Sequence, residues 1–493
     1  MVRVLLILLA GVACSSSRAE FESTERTATS TSSGPWLQYS DVRQAGFDEQ
    51  ALSTVCERAD SLGSGALMAV FRGHVILACG DVNRSFEAHS VRKSLVSGLY
   101  GVAVGRGEID LGATLASLNI DDETPLTQAE RSATVRQVIS ARSGVSLPAA
   151  YAPASQERRP ERGTHAPGTH WFYNNWDFNV AGVIYERATG EDLYESFERR
   201  LAKPLGMEDW DPTDGFRVYE PTKSHHPAHT FRISTRDLAR FGQLYLQEGR
   251  WDGRQLLPVD WVKESTRPHT DDGDGTGYGY MWWTYQAGST FTAKYPALGR
   301  HTFYRGLGTG EQGLWVIREA DLVVVHRADT DNARAIDGED HWKLVESVLT
   351  ARRSEPQPKP ALRALRPMAL SSQLPAARIL EYRALSPQAL TDYLGDYDLA
   401  PGTAQLAGRT LTPGGTVRVF LFDEKPYMHL PGAGDVMMFP TGRDVFTIRA
   451  APGVEIAFER GSNDQVTTVS LTLSGRTLRA HRRARHANVM PTR

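Results

Sequence analysis

The stretch "HSVRKSLVSGLYG", His89 to Gly101, decides how the rest of the chain is read. It places Ser90 three residues before Lys93. Leu95, Leu99 and Val102 recur at helical spacing, while Ser94, Ser97, Gly98 and Gly101 are small enough for close packing. The pattern predicts a buried helix beginning near Ser90. Residues i and i+3 share a helix face, so the Lys93 amine can approach the Ser90 hydroxyl. A serine hydroxyl is a poor nucleophile unless a neighbouring base takes its proton. Lysine is such a base only where burial or nearby positive charge lowers its pKa. The helix N-terminus adds a partial positive charge that favours a developing oxyanion. The bland alternative is a helix whose lysine is solvated at the surface. Two features weigh against it. The chain has eight lysines, and no other has a serine three residues before it. The flanks are also apolar and small rather than those of an exposed helix.

A second piece lies 83 residues beyond Ser90, in "WFYNNWDFNVAG". Tyr173-Asn174-Asn175 is the only Tyr-x-Asn in the sequence. A tyrosine held near Lys93 is expected to exist partly as phenolate and to shuttle protons, and Asn175 offers hydrogen bonds to a substrate amide. Alone, the tripeptide reads as a loop tyrosine beside a capping asparagine. With Ser90 and Lys93 upstream it reads as part of a site.

The order Ser-x-x-Lys, Tyr-x-Asn resembles the serine hydrolases related to class C β-lactamases and D-alanyl-D-alanine carboxypeptidases, the penicillin-binding-protein-like superfamily that also includes esterases. The likeness extends to "PLGM" (Pro204–Met207), "FRISTRDLARFGQLYLQEGRW" and "VVVHR", and covers roughly residues 45–350. It implies an α/β (α+β) β-lactamase-like transpeptidase fold, with a helical subdomain beside an antiparallel sheet flanked by helices. It also implies acyl-enzyme chemistry on Ser90, base and acid roles shared by Lys93 and Tyr173, and substrate orientation by Asn175. No metal or organic cofactor is implied. The partner is a small-molecule or peptide substrate.

The family's third motif, Lys-Thr-Gly or His-x-Gly on a strand edging the site, is altered here. The corresponding stretch is "YRGLGTGEQGLWVI". Gly308 stands where the lysine would be, before Thr309 and Gly310; counting back from Gln312 instead puts Thr309 at the histidine. Either way the cation is missing. Arg305, three residues upstream, is the available substitute. The expected oxyanion hole is the Ser90 backbone N–H plus one from Glu311 or Gln312. Loss of the cation disfavours penicillins and D-Ala-D-Ala peptides, which carry a carboxylate, and favours neutral esters or amides. The alternatives are a β-lactamase or carboxypeptidase acting on those substrates, and an inactive cell-envelope binding protein of the same fold.

Flanking segments set the organisation. Apolar residues run from Val4 to Ala13 after Arg3 and end at Cys14. This run is too short to span a bilayer and resembles a lipoprotein signal peptide, with Cys14 as the lipidated residue. Export to the bacterial cell envelope, periplasm or surface, and a membrane anchor are therefore expected. A Ser/Thr-rich tether follows at residues 15–35, then a hydrolase domain over 36–350. A proline-rich linker is expected over 351–387, an all-β, lipocalin-like domain over 388–484 from its short alternating runs, and a basic tail over 485–493. Net charge is -3, with 55 basic and 58 acidic residues, which argues against nucleic acid as a partner. The oligomeric state is left open.

Several local readings complete the picture. A helix is expected in "DEQALSTVCERADSLG", and a hairpin turning at Arg72-Gly73. "TVRQVISARSGV" should be helical as far as Ser143-Gly144. A capped helix should follow Ser234, with Asp237 at capping-box spacing. "YGYMWWTY" reads as one aromatic strand. His225, His226 and His229 read as a loop with no completed metal set, and "DDGDG" from Asp271 as a turn. Whether Cys56 and Cys79 pair is open from the sequence.

Overall fold

The computed structural model describes residues 33–483, apart from 153–155, 157–158, 221, 271–272, 333, 372–384, 400–403, 407–408, 412–414, 423–424, 432–433, 449–450 and 474–475. Cys14, Asp271 and the basic tail lie outside the described residues.

Two hairpins build the centre of the larger sheet. β2 (Ser64–Phe71) and β3 (His74–Gly80) are joined at Arg72-Gly73, both with positive φ, as a tight hairpin turn requires. β8 (Gln312–Ile317) and β9 (Leu322–Ala328) turn through Arg318–Asp321. With β1 (Leu37–Tyr39), β5 (Thr276–Tyr278), β6 (Trp283–Tyr285), β7 (Phe303–Gly308) and β10 (Leu362–Ala364), they form a nine-stranded sheet of order β10-β1-β3-β2-β9-β8-β7-β6-β5. Pairing is antiparallel except for β1 with β3.

Side chains alternate across this sheet, so each face has its own core. Met68, Val70, Leu314, Val316, Val323 and Val325 face α2 (Arg92–Gly105), α3 (Asn175–Thr189) and α4 (Thr235–Leu246). Leu67, Phe71, Trp315, Ile317 and Val324 face α1 (Glu49–Ser61) and α5 (Gly338–Thr350). The helices end where their sequences say they should. Asp48 caps α1 by accepting from the Ala51 N–H, and Gly190 closes α3 in the left-handed conformation. Ser234 caps α4 by accepting from the Asp237 N–H. The Asp237 carboxylate does not reciprocate; it accepts from the N–H groups of Glu208, Asp209 and Trp210 and ties the "PLGM" loop to the helix.

Four local expectations change. The helix before Ser143 spans only Val135–Ile139, because the chain turns at Ala141 with φ +56. The "YGYMWWTY" segment is a hairpin, β5 and β6 reversing at Met281, rather than one strand. The histidine segment is a strand, β4 (Ser224–Ile233). The proline-rich region is not all linker. Its residues 362–364 pair with β1, and Met368 bridges to Cys79, because β1 would otherwise leave an open sheet edge.

The C-terminal domain is a nearly closed, barrel-like antiparallel sheet of nine strands: β11 (Gly395–Leu399), β12 (Thr416–Phe422), β13 (Lys425–Leu430), β14 (Gly434–Met437), β15 (Phe439–Gly442), β16 (Val445–Ile448), β17 (Ala451–Arg460), β18 (Val466–Leu473) and β19 (Arg476–Arg482). The order β14-β13-β12-β11-β19-β18-β17-β16-β15 seats the first strand between two later ones. Tyr397, Val417, Ile456 and Val469 fill its interior. Tyr427 on β13 meets Tyr219 of the larger domain edge-on, with ring centroids 5.7 Å apart.

Cys56 on α1 and Cys79 on β3 form a disulfide, with Cα atoms 6.0 Å apart. It closes a loop of 23 residues' separation, which constrains the unfolded chain. Replacing both cysteines by alanine is expected to lower the stability of this domain by about 3 kcal/mol. Urea unfolding followed by tryptophan fluorescence checks this, since all ten tryptophans lie between Trp36 and Trp342 and report on this domain alone. An unchanged midpoint would refute it.

Candidate active site

Ser90 sits in a 3-10 turn, His89–Val91, that runs directly into α2. His89 enters this turn with φ +47, a conformation L-residues seldom adopt. Lys93 Nζ lies 2.8 Å from Ser90 Oγ. The lysine is only 2 % exposed, and its amine stands 4.7 Å from the Tyr173 ring centroid and 4.9 Å from that of Phe178. Burial, then the neighbouring Arg92 charge, push the Lys93 pKa well below its ordinary value. The amine is therefore suited to accept the serine proton.

Tyr173 hydrogen-bonds to Ser90, but burial pushes its pKa up to about 12. It is thus a protonated phenol at neutral pH, not the partial phenolate the sequence suggested. It stacks on Trp283 at 5.5 Å and meets Tyr278 edge-on at 5.8 Å, while Trp171 packs against both Tyr278 and Trp283. Beside the nucleophile these rings form an aromatic wall from two hairpin strands and the loop before α3.

Asn175 departs from expectation. It is buried in the first turn of α3, and its Nδ2 donates to the Tyr151 carbonyl at 2.5 Å. Its backbone N–H donates to Gln156 Oε1. These bonds commit Asn175 to holding Tyr151 and Gln156.

The third motif is rearranged by the pleat of β7. Phe303 and Arg305 point to the α1/α5 face. The Arg305 guanidinium lies 4.4 Å from the Trp342 ring centroid and 4.5 Å from that of Trp315, with Nε donating to the Tyr285 hydroxyl. It cannot replace the missing cation, because it is on the opposite side of the sheet from α2. Gly306 and Gly308 face α2 instead. A Cβ on Gly306 would lie 2.9 Å from Ser94 Oγ. One on Gly308 would lie 2.6 Å from the Ala88 carbonyl and 3.1 Å from the Ser90 nitrogen. Glu311 turns its carboxylate to His341 and its carbonyl to His326, and Gln312 bonds both ways to the Ala328 backbone. Thr309 and Gly310 lie in the turn between β7 and β8, where a Cβ on Gly310 would lie 2.5 Å from Thr330 Cγ2. The close approach to Ser90 is thus at Gly308, earlier than Glu311 or Gln312. Two glycines spaced by two at the end of a strand were the sequence signal for it.

A polar chain beside Ser90 was not legible in the sequence. His89 Nδ1 is 2.8 Å from the Tyr151 hydroxyl and its Nε2 is 2.9 Å from Thr330 Oγ1. The Tyr151 hydroxyl donates to Glu87 Oε1 at 3.1 Å. Burial drives the His89 pKa down to about 3 and that of Glu87 up to about 8, the latter opposed by Arg232. The chain therefore adds little net charge at neutral pH. The three histidines of strand Ser224–Ile233 do not converge: His225 pairs with Glu123, His226 with the Asp121 carbonyl and His229 with Glu186.

A serine hydroxyl, a buried lysine and a tyrosine thus meet between a mixed sheet and a helical layer. The family model described as Beta-lactamase matches residues 61–345, more than half of the chain. The chain belongs to the beta-lactamase family. That family is a superfamily of serine hydrolases and transpeptidases, and this beta-lactamase-family protein carries the barrel-like domain in addition. Among solved structures it is similar to SurE, at 17 % identity and a TM-score of 0.45, covering 88 % of this chain and 98 % of that one. It is similar also to the octameric penicillin-binding protein homologue from Pyrococcus abyssi, at 14 % identity and a TM-score of 0.45, covering 87 % and 99 %. A beta-lactamase from Mycobacterium bovis is 19 % identical, with a TM-score of 0.42, covering 59 % and 96 %.

The Gly308 contact gives a direct prediction for this beta-lactamase-family site. In Gly308→Ala the methyl group forces β7 away from Ala88 and Ser90. The rate of covalent labelling by a fluorophosphonate is expected to fall about 100-fold, with the circular dichroism spectrum unchanged. An undiminished rate would show that β7 does not border the reacting group.

Proposed function

We propose that the protein is a serine hydrolase that forms an acyl-enzyme on Ser90 and acts on neutral ester or amide substrates. The observation that carries this reading is the 2.8 Å contact between Ser90 Oγ and a buried lysine amine. Lys93 takes the proton as Oγ attacks the acyl carbon. The leaving oxygen or nitrogen takes a proton from the Tyr173 hydroxyl, which Lys93 replenishes. Water then attacks the acyl-enzyme by the same steps in reverse and returns Ser90.

Two features support a substrate without a carboxylate. Arg305 is on the far face of the sheet, and Arg92 is buried with its guanidinium donating to Asn179 Oδ1 and the His229 carbonyl. The wall of Trp171, Tyr173 and Trp283 favours an apolar or aromatic group beside the scissile bond. We place the enzyme in the cell envelope, anchored through Cys14. The apolar run ending at that cysteine and a disulfide between Cys56 and Cys79 both support that location.

Intact mass after incubation with a fluorophosphonate and, separately, with benzylpenicillin tests the reading. A single adduct with the fluorophosphonate alone is expected. Adducts with both would move the enzyme to penicillin-type substrates. No adduct with either would favour a binding protein that keeps the fold without the reaction.

A further inference from the structure

Arg92 directly precedes Lys93 in α2, and its charge is buried without a compensating carboxylate among the described residues. It is 1 % exposed. Its Nη1 donates to the His229 carbonyl at 3.2 Å and its Nη2 to Asn179 Oδ1 at 3.0 Å; both partners are neutral. Its Nε has no hydrogen-bond partner among the described residues. Among the described residues Arg92 forms no ion pair, as is also true of buried Arg305 and Arg327, whereas Arg200, Arg217 and Arg232 each hold carboxylates. An uncompensated buried guanidinium is costly to stability. Its neighbour in sequence, Lys93, is likewise buried and unpaired with any carboxylate among the described residues.

We propose that Arg92 is a positioning residue that acts through Lys93: its unneutralised charge joins burial in keeping the lysine amine free of a proton. This rests on the serine-hydrolase reading above. The charge is close enough to be felt throughout the site. Burial and then Arg92 account for the depressed Lys93 pKa, and Arg92 also opposes the rise that burial causes in Tyr173 and Tyr278. The titratable groups facing it come from every surrounding element. They are Tyr151 and Tyr173 from the loops before α3, Glu87 ahead of the nucleophile, and Tyr194 from the helix Leu193–Phe197. His229 adds its imidazole from the strand behind, itself joined to Glu186 and through it to Arg217. The tyrosines are protonated, and Glu87 is held high by burial, so none neutralises the guanidinium at neutral pH.

The test is the pH dependence of two quantities. One is the fluorophosphonate labelling rate of the full chain. The other is the titration of Lys93 itself, read by NMR in [ε-13C]lysine-labelled Ser90→Ala protein and assigned with Lys93→Met. In Arg92→Met the Lys93 midpoint and the acid limb of the labelling profile are expected to move to higher pH by about one unit or more. Labelling below that limb should fall about tenfold per unit. Asn179→Asp leaves the arginine in place and sets a carboxylate against it, at the cost of one bond to the Ala150 carbonyl. It should move the midpoint in the same direction, and it serves if Arg92→Met fails to fold. A Lys93 midpoint that stays put in a folded Arg92→Met or Asn179→Asp protein overturns the proposal. Absence of Ser90-dependent labelling in the unaltered protein would instead overturn the hydrolase reading, while the NMR titration would still decide the role of Arg92.

Discussion

Ser90→Ala is expected to abolish covalent labelling and to lower hydrolysis of any substrate found by about 10⁵-fold or more. Ser90 Oγ is in contact with both the lysine amine and the tyrosine hydroxyl, and Ser90 is partly exposed whereas Lys93 is buried. Removing it leaves Lys93 and Tyr173 with nothing to activate. The fold should survive, because the substitution deletes a single atom at the mouth of the site and opens no core cavity. Replacement of functional polar groups often stabilises the scaffold that holds them. Thermal unfolding should therefore stay at or slightly above the parental midpoint. The experiment pairs intact mass with calorimetry. Full labelling of the alanine variant would remove Ser90 from the mechanism.

Lys93→Met carries the second large effect. Methionine has nearly the length of lysine and suits the pocket between Tyr173 and Phe178, so packing is kept while the base is lost. Tyr173 cannot take over, since its pKa of about 12 leaves it protonated. General-base removal costs about 10²- to 10⁴-fold, and the upper end is expected because no second base contacts Ser90 among the described residues. Stability should change in a pH-dependent way. Folding strips Lys93 of its proton between its depressed folded pKa and the ordinary 10.5. The unfolded chain thus binds more protons across that window, so stability rises with pH there, and the penalty disappears above 10.5. Lys93→Met has no proton to lose, so its stability should lack that slope and exceed the parental value at neutral pH. Urea midpoints measured across pH for both proteins check the sign. Parallel pH profiles would mean that Lys93 is charged in the folded state.

These residues were legible in the sequence because their relation is local or their pattern rare. Ser90 and Lys93 are one helical turn apart, and Tyr173 stands in a tripeptide that occurs once. The β-rich C-terminal region also announced itself through alternation, although nothing in it placed β11 between β12 and β19. What failed was the reading of β7. Side chains alternate faces along a strand, so a slip of one residue exchanges the two sides of the sheet. Arg305 lies between Tyr304 and Gly306, and neither neighbour states which face is which. The Asn175 amide was misjudged because its partner, Tyr151, reaches it through a loop 24 residues upstream. The link from His89 to Thr330 spans 241 residues and depends on the whole sheet.

The short strand β10 has a wider meaning. It pairs along all three residues of β1, and the chain then bridges to Cys79, itself tied by the disulfide to α1. β10 and Met368 lie past residue 345, where the match to the family ends, and β1 lies before residue 61, where it begins. The unit of folding is therefore longer than the unit of homology. The matched segment by itself would present β3 as a raw margin, and what looks like a mere connector to the barrel is part of the selvedge that keeps the woven sheet from fraying.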